Sequence, residues 1–174
     1  IKVSKFGLTT YDEFINALSK LNNEGAQNFI IDLRGNSGGL MDTPINMANE
    51  LLPANRLIVY AEGKAFERED AISNGTGTFQ EAPLIILTDE WSASSSEIFA
   101  GAIQDNDRGL IVGRRTFGKG LVQQQIPFRD GPAIRLTAAR YYPPPGRCTQ
   151  TTEPLGKAHD SRHTIVDTQH HARL

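Results

Sequence analysis

Two short, unbroken apolar runs constrain this chain most: Phe29-Ile30-Ile31 and Leu84-Ile85-Ile86-Leu87. Runs of this length suit buried strands and are far short of the roughly 20 apolar residues a membrane helix needs. Each leads into a turn rich in glycine or small residues and then into a helical pattern. Asn28 to Leu33 reads as a strand that enters Arg34-Gly35-Asn36-Ser37-Gly38-Gly39, with a helix beginning near Asp42 or Thr43 and Pro44 in its first turn. Leu84 to Leu87 reads as a strand that enters Ser92-Ala93-Ser94-Ser95-Ser96, with a helix over Glu97 to Gln104.

The rest of the chain is consistent with that alternation. Ile1 to Phe6 alternates like a strand, and Thr10 stands three residues before Glu13, the spacing of a capping box. Phe14, Leu18 and Leu21 follow at helical intervals, and Gly25 ends the helix. Leu57 to Ala61 and Leu110-Ile111-Val112 are further strands, and residues 63–82 form a hairpin or surface excursion. Val122 to Phe128 and Ala133 to Arg140 are two strands joined around Arg129-Asp130-Gly131. Pro143-Pro144-Pro145-Gly146 stops regular structure. The expectation is one mixed α/β layered domain over residues 1–147, with 148–174 an irregular C-terminal tail, foreign in character to the domain before it. The chain opens on Ile1 rather than Met, so it reads as a fragment or mature segment, and a missing targeting signal carries no information.

Composition narrows the chemistry. Lys plus Arg is 18 against 20 Asp plus Glu, a net charge of -2, which offers no global basic surface for nucleic acid. One cysteine, Cys148, excludes an internal disulfide and a cysteine-based zinc site. All four histidines (His159, His163, His170 and His171) lie in the tail. A base in the main body must therefore be Lys, Asp, Glu, Tyr or Cys unless the tail folds back.

Three segments gather small residues at strand ends: 34–39, 92–96 and 113–120. The last begins Gly113-Arg114-Arg115-Thr116-Phe117-Gly118-Lys119, the spacing of a phosphate loop. Gly120 stands where that loop needs Ser or Thr, and Leu121 to Ile126 is strand-like where a helix should follow, so nucleotide binding is disfavoured. Ser94 has two readings. With Glu97 it forms a capping box that satisfies a helix N–H. Alternatively it is a nucleophile at a strand-to-helix turn, with the Ser95 amide facing a developing oxyanion. Lys119 is either a solvated charge or a neutral general base. The second requires desolvation that lowers a lysine from about 10.4 to about 7, a cost of about 4.6 kcal/mol, with Phe117 as apolar cover. Gln123, four residues on, shares a face with Lys119 on an extended segment and either steadies the amine or is an ordinary exposed strand residue. Gly38-Gly39 is a turn or a source of a second oxyanion amide. Asp105 is expected to play a structural role by binding a nearby Arg, such as Arg108 or Arg114, and Arg34 beside Asp32 to be an ion pair or loop brace.

Taken together and in order, Asp32-Leu33-Arg34-Gly35-Asn36-Ser37-Gly38-Gly39, Ser92-Ala93-Ser94-Ser95-Ser96-Glu97-Ile98 and Thr116-Phe117-Gly118-Lys119-Gly120 resemble the signatures of the C-terminal processing, or tail-specific, serine peptidases. The resemblance runs to Arg140-Tyr141-Tyr142 and the Pro-Gly turn, over roughly residues 1–147. It implies a ClpP/crotonase-like α/β core and a Ser-Lys dyad of Ser94 nucleophile and Lys119 base, supported by Gln123. It implies backbone oxyanion amides from Gly39 and Ser95. The implied reaction is acyl-enzyme hydrolysis near the C-termini of protein or peptide substrates, without metal or cofactor. It further implies a PDZ domain in the full-length protein and an extracytoplasmic location, the periplasm in bacteria. Ser95 replaces the commoner Ala. The rival reading is a catalytically silent peptide-binding or regulatory module of the same fold.

Overall fold

The computed structural model describes residues 1–128 and 131–150. The histidines, the Arg129-Asp130 turn and the tail from residue 151 lie outside the described residues. The elements run α1 (Thr10–Asn23), β1 (Phe29–Asp32), α2 (Asp42–Leu51), β2 (Leu57–Gly63), β3 (Phe66–Ile72), β4 (Leu84–Thr88), α3 (Ser95–Asp105), β5 (Leu110–Gly113), β6 (Leu121–Pro127) and β7 (Ala133–Tyr142). They form two sheets, parallel β1-β4-β5 and antiparallel β3-β2-β7-β6. The mixed α/β expectation holds.

The two apolar runs pair with each other. Phe29 to Asp32 lie beside Leu84 to Leu87 in parallel register, and Ile85 to Thr88 lie beside Leu110 to Gly113. On the inner face Phe29, Ile31, Leu84 and Ile86 are buried; on the other, Ile30, Leu110 and Val112 are exposed. Helix α3 crosses from β4 to β5 and is buried on every side, Ser95 through Ile103. Such a helix gets its stability from packing rather than from an amphipathic stripe. Phe99 meets Phe14 of α1 edge to face, with ring centroids 6.4 Å apart.

Several local readings shift. The opening segment makes only isolated parallel bridges, Lys2 with Asp32 and Phe6 with Gly39. The α1 cap falls one residue early. Thr9 is the N-cap and its hydroxyl donates to Glu13 Oε1 at 2.7 Å, while Thr10 donates to the Lys5 carbonyl. Asp105 binds neither Arg108 nor Arg114; its Oδ1 accepts from Arg147 Nη2. Sequence proximity misleads because Arg108 is used elsewhere, donating to the carbonyls of Leu51, Phe79 and Ala82, and Arg114 reaches Glu90. Thr149, beyond the expected domain end, is buried.

Arg34 does pair with Asp32, through Nε and Nη2, each at 2.9 Å. These hydrogen bonds lead the causes that hold the Asp32 carboxyl well below the usual carboxylate range. A depressed pKa contributes stability that is present above the unfolded value, about 3.9, and is lost as pH falls through the folded value. Asp32→Asn should therefore melt below wild type at pH 7, and the gap should narrow as pH falls below about 3.9. Calorimetric melts across that range check the sign.

Candidate active site

The three small-residue segments follow the C-terminal ends of three adjacent parallel strands. The Gly-Gly loop follows β1, the Ser94 turn follows β4, and the Lys119 loop follows β5. That edge is where open α/β sheets place their sites, because successive strands deliver their following loops to one rim.

The Gly-Gly loop is held from beneath by Asn36, which is fully buried. Its Nδ2 donates to the Val3 carbonyl at 2.8 Å, and its Oδ1 accepts from Gly38 N–H at 2.9 Å. Its own carbonyl accepts from Ala93 N–H at 3.0 Å and Ser96 Oγ at 2.8 Å, which ties the loop to the start of α3. Phe6 bridges the loop from the other side, donating to the Gly38 carbonyl and accepting from Leu40 N–H. No side chain fits here. A Cβ at Gly38 would stand 2.9 Å from Ser94 Cβ, and one at Gly39 would stand 2.0 Å from the Phe6 carbonyl oxygen, with φ at +156°.

Ser94 turns the chain from the strand end into α3 with φ 56° and ψ −111°. Positive φ is costly for a residue with a side chain and persists only where the surroundings enforce it. The capping box that the Ser94–Glu97 spacing predicts is present. Glu97 Oε2 accepts from Ser94 N–H at 2.8 Å, and Glu97 N–H donates to the Ser94 carbonyl at 2.8 Å. The Ser94 hydroxyl approaches that amide but makes no cap hydrogen bond. Among the described residues neither Ser95 N–H nor Gly39 N–H has an acceptor. The Ser95 hydroxyl lies 3.2 Å from the Gly39 carbonyl and 3.1 Å from that of Leu40, latching the Gly-Gly loop to α3.

Glu97 joins this turn to the Lys119 loop. Oε1 accepts from the Thr116 hydroxyl and from Gly118 N–H, both at 2.7 Å; Oε2 accepts from Lys119 N–H at 2.8 Å as well as from Ser94. The amides of Ser94 and Lys119 thus share one oxygen atom. Glu97 is the one charged residue in the buried set among the described residues. Burial pushes its carboxyl up, against the pull of the Thr116, Lys119, Ser94 and Gly118 hydrogen bonds. Two amides of the apparent phosphate loop, 118 and 119, are therefore filled by a carboxylate, and β6 follows in place of a helix.

Glu97 is the residue that sequence reasoning undervalued. Its spacing from Ser94 signals the capping box, but Thr116, Gly118 and Lys119 lie about twenty residues downstream and no local pattern links them. Two other residues singled out from the sequence lie at the surface. Phe117 is 45% exposed. Gln123 is exposed on β6, without a side-chain hydrogen bond among the described residues, and the register with β7 shifts between Val122 and Gln123, with Ala138 of β7 unpaired there. Lys119 itself is half-buried.

The model of Peptidase family S41 matches residues 1–159. A carboxyl-terminal-processing protease of Synechocystis sp. is 41% identical over 144 residues, 83% of this chain and 33% of that protein. The chloroplastic C-terminal processing peptidase of Tetradesmus obliquus is 34% identical over 146 residues, 84% and 31% respectively. The solved photosystem II D1 C-terminal processing protease superposes with a TM-score of 0.78 at 33% identity, covering 86% of this chain and 38% of that one. The chain spans about a third of the length of these curated relatives. A match over residues 1–159, joined to three motifs on one sheet rim, means that the chain belongs to peptidase family S41.

Proposed function

We propose that this domain is the catalytic part of a serine endopeptidase that cleaves proteins near their C-termini through an acyl-enzyme. The observation that carries the reading is Glu97, which binds the Ser94 turn and the Lys119 loop through a shared oxygen. Ser94 Oγ attacks the scissile carbonyl while the Lys119 amine takes its proton. The amides of Gly39 and Ser95 receive the oxyanion, aided by the N-terminal dipole of α3. Lys119 then protonates the leaving amine, and water releases the acyl group by the same route reversed. Gln123 is assigned the support of the Lys119 amine in the working arrangement, which need not be the unliganded one.

The substrate class rests on the relatives, which are named for C-terminal processing. A PDZ domain elsewhere in the full protein is the assigned means of capturing the substrate's C-terminus, and an extracytoplasmic compartment the assigned location. A fluorophosphonate probe tests the chemistry. Digestion and mass spectrometry should find the adduct on Ser94, and on no other serine, in protein that hydrolyses peptide. Hydrolysis with Ser94 unmodified would overturn the assignment.

A further inference from the structure

The segment after the proline turn touches both halves of the candidate dyad's support. At one end Arg147 donates to Asp105, whose side chain is 4% exposed and which closes the helix that Ser94 opens. At the other end, Gln150 Oε1 accepts from Gly120 N–H at 3.1 Å. Gly120 is buried, and it adjoins Lys119. A Cβ there would stand 2.6 Å from Gln150 N and 2.8 Å from Thr149 Cβ, so the two backbones are in direct contact. The carbonyl of Gly120 accepts from Tyr141 N–H at 2.9 Å.

Three successive amides, of Gly118, Lys119 and Gly120, are thus held by two side chains. Glu97 takes the first two and Gln150 takes the third. The Lys119–Gly120 peptide carries the backbone from which the lysine side chain springs. A buried N–H left without an acceptor is costly, which favours rotation of that peptide toward another partner.

We propose that Gln150 is a positioning residue for Lys119, acting through Gly120, and that the Arg147–Gln150 segment straps the base loop to the nucleophile's helix. This rests on the Ser-Lys reading given above. Residues read from sequence as the start of an irregular tail therefore belong to the reaction's supporting frame.

The test is made in the full protein with a peptide substrate and the fluorophosphonate probe. Gln150→Ala should lower kcat about tenfold, with KM within about twofold, and slow labelling of Ser94 by the same factor. Its Tm should stay within about 5 °C of wild type. Gln150→Glu, which keeps an acceptor of the same reach, should restore most of the lost kcat. Gln150→Met serves in place of the alanine variant should that one fail to fold. A kcat within twofold of wild type overturns the proposal, as does a loss that Gln150→Glu leaves unrelieved. Failure of both acceptor-free variants to fold also overturns it, because the segment is then a folding element. Wild-type protein that hydrolyses peptide without Ser94 labelling sinks the Ser-Lys reading instead, and the two failures are distinct.

Discussion

Lys119→Ala should lower kcat/KM by about 10³-fold or more, and Ser94→Ala should remove turnover to the level left by binding and the oxyanion amides alone. Lys119→Arg should fail as completely, because a guanidinium does not give up its proton in a protein. The two single losses should not add. A base with no nucleophile to serve contributes nothing, so the double variant should match the worse single one. Steady-state kinetics on a C-terminal peptide, with folding checked by circular dichroism, decide the matter. Residual activity within tenfold of wild type in Lys119→Ala would show that another group takes the proton.

Glu97→Gln should cost about 10²-fold in kcat while leaving the fold intact. The substitution is nearly isosteric, but the carboxylate accepts four hydrogen bonds and donates none. The amide can offer one oxygen. Turned toward Ser94 and Lys119, it presents its NH₂ to Gly118 N–H; turned the other way, it opposes the amides of Ser94 and Lys119. Either choice leaves buried donors facing a donor, at about 1–3 kcal/mol each. Stability supplies a second readout: Glu97→Gln should lower Tm at pH 7, and an unchanged Tm would show that the four donors find other acceptors.

Much of the architecture was legible from local pattern. The two apolar runs, the helix starts and the final hairpin all follow from periodicity, and each leaves a signature within ten residues. The exceptions have identifiable causes. The α1 cap falls on Thr9, without a side-chain cap hydrogen bond, while the Thr10 hydroxyl goes to the Lys5 carbonyl. Asp105 found Arg147, 42 residues away, because the nearer arginines were drawn to carbonyls and to Glu90 that only the folded chain brings close.

The candidate site divides the same way. Residue by residue, Ser94, Lys119 and the Gly38-Gly39 turn each kept two readings, and it was the resemblance of the three ordered motifs to the peptidase signatures that nominated them. Their convergence was not written in any one segment. It arises because β1, β4 and β5 lie side by side in parallel, an arrangement set by long-range burial of Phe29, Ile31, Leu84 and Ile86. The partners of Glu97 and of Gln150 likewise exist only after that packing. A hydrogen bond between residues far apart in sequence becomes available when hydrophobic burial has already covered the entropy of closing the loop between them.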